Sequence, residues 1–201
     1  MVLYGFFRYY NLSKQILSNL MYNNYLKFLK LIFKNNSLLR ALQIYECLNI
    51  FLYGTSIEFG ATDNQDKTFS NFVKGKSKFH YSNKISNKKL KVFYSDLTKK
   101  LNIPSKKYNN VLFFNVLEHL PEYKLAFSEI FRIIKKGGFF IGSVPFIYQI
   151  HAAPNDYFRF TKQFFELNLK KYKFKRVKIK ALGFGPFTAS YSLFYPYLKY
   201  L

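Results

Sequence analysis

The chain has 201 residues and a formal net charge of +22. That length supports one domain with a substantial core and is too short for two full ones. About half the residues are apolar, which argues against disorder, and a single cysteine, Cys47, excludes an internal disulfide and a cysteine-rich zinc site; no metal is expected.

The charge suggests nucleic acid or an anionic membrane as partner. A second source competes with that reading. Lys, Asn, Phe, Tyr and Ile are the residues of A/T-rich codons, and all are abundant. Lys far outnumbers Arg, the preferred phosphate-reading residue, and the lysines are scattered apart from Lys84 to Lys107. Nucleic acid is therefore the less favoured partner. No run reaches the roughly eighteen apolar residues of a membrane span; the closest, Ala41 to Tyr53, carries Gln43, Glu46 and Asn49. The N-terminus lacks the pattern of a secretion signal. A cytoplasmic protein is expected. Its aromatic N-terminus and its tail, TASYSLFYPYLKYL, leave room for peripheral contact with an anionic membrane, and no feature specifies an oligomeric state.

In chain order, residues 12 to 52 read as helical. Leu17, Leu20, Met21, Tyr25, Phe28, Leu29, Ile32 and Phe33 recur at spacings of three and four. Asn35-Asn36-Ser37 breaks this stripe, and a second helix is predicted from Leu38 to about Phe51. Ser56 to Phe59 is a short strand candidate, and Phe69 to Val73 the remnant of a helix. Ser77 to Tyr81 and Leu90 to Tyr94 read as strands. VLFFNVL, from Val111, suits a strand buried on both faces. PEYKLAFSEIFRIIKKGG reads as a complete helix. Pro121 opens it, and Leu125, Ala126, Ile130, Phe131, Ile133 and Ile134 form its buried face. Gly137-Gly138 supplies a left-handed stop. FFIGSVPF is another buried strand, Thr161 can cap a helix from Lys162 to Lys171, and Phe174 to Leu182 suits a half-exposed strand.

Strands alternating with helices indicate an α/β domain, a Rossmann-like, mostly parallel sheet with helices on both faces. The expected organisation is an N-terminal helical extension over 1–54 and the α/β domain over 55–201. In such sheets ligands bind at the carboxyl ends of the strands. The loops GATDN, SDL, NVLEHL and HAAPNDYFRFT should then open on one edge.

The motifs IEFGA, SDL, YNNVLFFNVLEHL and AFSEIFRIIKKGGFFIGSVPF, in that order, resemble the class I S-adenosylmethionine-dependent methyltransferases, over roughly residues 55 to 185. The likeness is to small members associated with surface-polysaccharide genes. In that family a V-L-E-H stretch ends the fourth strand and E-x-x-R-V-L-K-P-G-G closes the next helix; Val116 to His119 and Glu129 to Gly138 match them. HAAPNDYFRFT matches a His, Pro, Asp and R-F-T stretch after the fifth strand.

The resemblance implies S-adenosylmethionine as cofactor and methyl transfer to a small molecule, a sugar or glycan intermediate being the class suggested. It implies cofactor contacts from Glu58, Gly60, Ala61 and Thr62 at the first turn, from Asp96 and Leu97 around the adenine, and from Asn115 and Val116 along the methionine portion. His119, His151, Asp156 and Arg159 are the candidates for acceptor binding and proton removal. For Glu118 and His119, a cap on the next helix and simple packing are the alternatives. For Asp156 and Arg159 the alternative is an internal ion pair within a loop whose Tyr157, Phe158 and Phe160 fill the core.

The chain departs from the family at the first turn, where only the first glycine of G-x-G-x-G is present and Thr62 and Asn64 replace the others. The acidic residue expected after the second strand is replaced by Ser82 or Asn83. Either the cofactor binds to a modified turn, or the fold persists as a catalytically inactive binding or assembly subunit. The strand that usually closes the sheet beside the fifth is not evident after Leu182, so it is expected to be missing or degenerate.

Overall fold

The computed structural model describes residues 2–4, 26, 30, 37–61, 68–84, 92–151, 155–183 and 185–198. Its centre is β5, Tyr108–Phe114, whose residues are almost all buried. Val111 and Phe113 point to one face and Leu112 and Phe114 to the other, and each pair enters a different core. The period-two alternation of side chains turns one apolar run into two packed faces.

β5 lies between β2, Gly54–Phe59, and β6, Ile134–Ser143. Outside β2 come β3, Ser77–Asn83, and β4, Val92–Tyr94. All five run parallel. Beyond β6 the order continues with β1, Val2–Tyr4, and β7, Lys178–Lys180. β1 is antiparallel to both neighbours, pairing Leu3 with Gly142 on one side and Ile179 on the other. The strand expected beside the fifth parallel strand is thus present, and residues 2–4 supply it. The tail, for which a degenerate strand and a helix are both open from the sequence, forms helix α4, Gly185–Leu198.

Helices cover both faces, as expected. α1, Leu38–Cys47, starts at Ser37, whose hydroxyl accepts from the Arg40 amide. It buries Ala41, Ile44 and Cys47, the last two in the core that holds Leu112 and Phe114. α2, Tyr123–Ile133, and α3, Lys162–Lys171, cover the other. Thr161 caps α3 by accepting from the Phe164 amide at 3.2 Å, as its sequence suggests. Full burial of a Phe such as Phe127, at 0% exposure, contributes about 1.5–3 kcal/mol.

Several expectations need correction. The first predicted helix lies outside the described residues, apart from Leu26 and Lys30, which are helical and exposed. Within the expected N-terminal helical extension, Val2–Tyr4 form a strand of the sheet, and α1 packs on the sheet and pairs Glu46 with Lys180 of β7. α1 ends at Cys47 rather than near Phe51, and Phe69–Phe72 is one 3-10 turn. α2 stops at Ile133, well before Gly137-Gly138. Ile134 pairs with Tyr108, and the register shifts so that residues 135–138 loop out of the ladder before Phe139 meets Asn110. A Cβ on Gly138 would come within 2.4 Å of the Asn109 carbonyl, so this glycine permits close strand approach rather than ending a helix. Phe131 is 42% exposed, while Phe127 takes its expected place in the core. Only Lys178–Lys180 of the predicted last strand is extended.

No helix among the described residues is long and apolar enough to cross a membrane.

Candidate functional site

A cavity of about 1170 Å³ opens over the carboxyl ends of β2, β5 and β6. α1 and α4 contribute to its walls, through Arg40 and Gln43 on one side and Thr188 and Ser192 on the other.

At the end of β2, Glu58 is buried, and its two carboxylate oxygens accept from the amides of Phe69 and Ser70 at 2.8 and 2.9 Å. Burial raises its pKa, opposed by those bonds and by Arg40. Glu58 therefore fastens the chain that returns from the first turn. Gly60 follows with φ +75, and a Cβ there would lie 2.6 Å from Cγ2 of Val116. Ala61 is buried, and its carbonyl accepts from the Asn83 side chain at 2.7 Å. Thr62 lies outside the described residues.

At the end of β5, Asn115 adopts φ +53, a left-handed conformation that Asn tolerates better than most residues. Its Oδ1 accepts from Gln43 Nε2 at 3.0 Å and from the Ser143 hydroxyl at 3.1 Å. This network joins α1, β5 and β6 at the cavity floor. Next comes Glu118, 0% exposed, whose carboxyl oxygens have no hydrogen-bond partner. Its pKa is pushed up to about 8, chiefly by burial and further by the charge of Asp156, with Arg159 opposing. Glu118 does not cap α2, as one reading of the sequence had it; α2 has no side-chain cap.

The loop after β6 closes over this carboxyl. His119 donates from Nδ1 to the Asn155 carbonyl at 2.6 Å, and its Nε2 lies 3.7 Å from Glu118 Oε1. Burial lowers its pKa despite the Asn155 bond, and His151 acts in the same direction as burial. The two imidazoles stand edge to face with centroids 4.9 Å apart. His151 contacts Asp156 Oδ2 at 3.1 Å through both its amide and Nδ1. Arg159 clamps the same carboxylate with two bonds of 2.5 and 2.6 Å, which holds Asp156 well below the usual carboxylate range against the effect of burial. Its remaining bonds go to the carbonyls of Tyr148, Gln149 and Phe158. The internal ion pair named as the alternative is thus formed, and Arg159 is committed to its own loop. Phe158 and Phe160 pack against Tyr123 on α2, whereas Tyr157 is 46% exposed.

Residues 70–142, a little over a third of the chain, match a family described as a methyltransferase domain. No curated protein sequence matches significantly. A chain from the complex between the Haloferax volcanii Trm112 methyltransferase activator and a methyltransferase superposes with a TM-score of 0.50 at 13% identity, covering 65% of this chain and 67% of that one. The fold is that of class I methyltransferases. Two further similar structures are the 1,6-didemethyltoxoflavin-N1-methyltransferase of Burkholderia thailandensis with bound 1,6-didemethyltoxoflavin and S-adenosylhomocysteine (TM-score 0.49, 10% identity, 84% of this chain and 83% of that chain) and phosphoethanolamine N-methyltransferase 2 of Haemonchus contortus (0.48, 13%, 65% and 36%). The chain spans 67, 49 and 50% of the first three structures it matches.

Within this methyltransferase fold, Glu58, Gly60, Asn115 and His151 line one cavity, and His119 stands beside His151. Asp96 and Leu97 do not line it. They follow β4, two strands across from β2, on the same carboxyl edge. Asp96 Oδ1 takes both the amide and hydroxyl of Thr98 and lies 3.8 Å from Lys84. Partial burial works to raise its pKa, but these partners prevail and hold it below the ordinary value. Leu97 is a buried core residue. Ser82 pairs with Ser95, and Asn83 is engaged by Ala61 and Lys84, so both candidate ribose partners have intrachain bonds. Sequence reasoning missed Arg40 and Gln43. Its available signal was the polar interruption of the apolar run around Ile44.

Proposed function

We propose that the chain is an S-adenosylmethionine-dependent methyltransferase acting on a small-molecule acceptor, with a sugar or glycan intermediate as the expected class. The observation that carries this reading is the meeting of the Gly60 turn, Asn115 and the His151 loop around one cavity at the carboxyl edge of a methyltransferase-fold sheet. The cavity is of the size that takes a cofactor together with a small acceptor.

The residues fit the cofactor at the first turn. Gly60 carries no Cβ, so its backbone can approach a ligand closely, and Val116 packs where a side chain would otherwise stand. Asn115 and Val116 would flank the methionine portion, and Asp96 and Leu97, which the family resemblance assigns to the adenine, would meet it beyond this cavity along the same carboxyl edge. S-adenosylmethionine supplies an electrophilic methyl group. The chain's own residues orient the acceptor and take its proton. His119 suits the second task. Its Nδ1–H is spent on Asn155, so Nε2 carries the lone pair, and its lowered pKa keeps the ring neutral near pH 7. Asp156 and Arg159 act as positioning residues for His151.

The direct test is calorimetric titration of the full chain with S-adenosylhomocysteine. One site of micromolar affinity is expected. A flat titration at millimolar ligand would sink the enzyme reading and leave a methyltransferase-fold binding subunit.

A further inference from the structure

The geometry points to a divalent-cation site, of the zinc class, formed by Glu118, His119 and His151 at the wall of the cavity. One donor atom from each of the three lies within 4.8 Å of the others. Two imidazoles and one carboxylate beside a cavity that Glu118 and His151 line form the ligand set of a catalytic rather than a closed structural zinc site.

Three independent features support ligation. Glu118 is fully buried, and neither of its carboxyl oxygens has a hydrogen-bond partner. A buried polar group left unsatisfied costs about 1–3 kcal/mol and calls for a missing ion or water. Second, His119 carries the outer hydrogen bond that metal-binding histidines commonly make: Nδ1–H is held by a backbone carbonyl, which turns Nε2 toward Glu118. Third, His151 carries the other common form, with Nδ1 against the Asp156 carboxylate, itself fixed by Arg159. This accounts for an Asp and an Arg that never reach the cavity's interior as free groups. Bond lengths of about 2.0–2.2 Å would require the donors to close by roughly 1–1.5 Å. His151 is part-exposed and can make that movement.

The ion would keep open positions toward the cavity. With the ion bound, His119 Nε2 would be a ligand and not the proton acceptor of the metal-free chain; on the methyl-transfer reading alone, an acceptor hydroxyl would complete the coordination, and the site itself does not depend on that reading.

The test uses untagged full-length protein stripped with a chelator and titrated with zinc against a chromophoric competitor. One ion per chain is expected. Cobalt should give visible d–d absorption of low coordination number. Glu118→Gln, which keeps volume and shape, and His151→Ala should each weaken zinc binding roughly tenfold or more. His80→Gln, at a histidine bonded to Tyr108 on the sheet, should leave it unchanged. Uptake below one ion per chain, or uptake unaffected by both site variants, would overturn the proposal. Circular dichroism melts confirm that each variant is folded. Failure to bind S-adenosylhomocysteine would leave this site standing, and failure to bind zinc would leave the methyl-transfer reading standing.

Discussion

Gly60 and Asn115 occupy the same backbone region at the ends of adjacent strands, with φ of +75 and +53. Both turn the chain sharply off the sheet edge, but for different reasons. At Gly60 the requirement is space, because Val116 fills the position a side chain would take. At Asn115 the requirement is hydrogen bonding, because its amide joins Gln43 to Ser143. Gly60→Val should therefore act twice. It places a β-branched residue at positive φ, at a cost of about 1–2 kcal/mol, and it pushes a methyl group toward Val116. Affinity for S-adenosylhomocysteine should fall by at least tenfold in calorimetry, while a modest fall in urea midpoint reports the strain. Unchanged affinity would remove Gly60 from the binding site.

At the scale of elements, the E-x-x-R stretch of α2 acts as a clamp. Arg132 makes bonds of 2.9 and 2.6 Å to Glu129 and reaches the carbonyls of Leu101 and Ile103, while Glu129 accepts from the Leu101 amide. The pair stitches the loop entering β5 to the helix leaving it. Arg132→Ala would strand a carboxylate that is only 5% exposed and should cost about 3 kcal/mol, read as a lower urea midpoint. Arg132 also holds Glu129 below its ordinary pKa, against the effect of burial. A depressed acid contributes stability above its unfolded value, which is lost as pH falls through the folded one. Glu129→Gln should accordingly flatten the acid limb of the stability–pH curve. This clamp was legible as a motif because its residues are local, three apart on one helix. The β5 run was legible for a similar reason, since seven consecutive residues encode burial on both faces. Gly137-Gly138 misled because a glycine pair signals positive φ or close approach without saying which element needs it. Glu118 could be noticed in the sequence but not read, since its lack of a partner depends on Asn155, Asp156 and Arg159 folding over it from the far side of α2 and β6.

The whole sheet depends on a contact with almost no sequence signature. β1 is three residues long, VLY, too short to show any period, yet it fills the antiparallel slot between β6 and β7. Its partners lie about 140 and 176 residues away, at Gly142 and Ile179, so no local pattern could announce the pairing. Without it the outer edge of β6 would be an unpaired row of amides and carbonyls beside buried Ile141 and Ser143, an invitation to intermolecular strand addition. β7 would lose its one ladder among the described residues. Removing residues 1–5 should thus leave far-ultraviolet helicity nearly intact, lower the melting temperature, and produce concentration-dependent aggregation in light scattering. Leu3→Pro should reproduce the effect, because proline cannot donate to a ladder flanked by strands on both sides. Leu3→Val, which suits a strand, should not. A truncated chain that melts and scatters like the full one would mean that β6 needs no partner there, and that the seventh strand is dispensable to this fold.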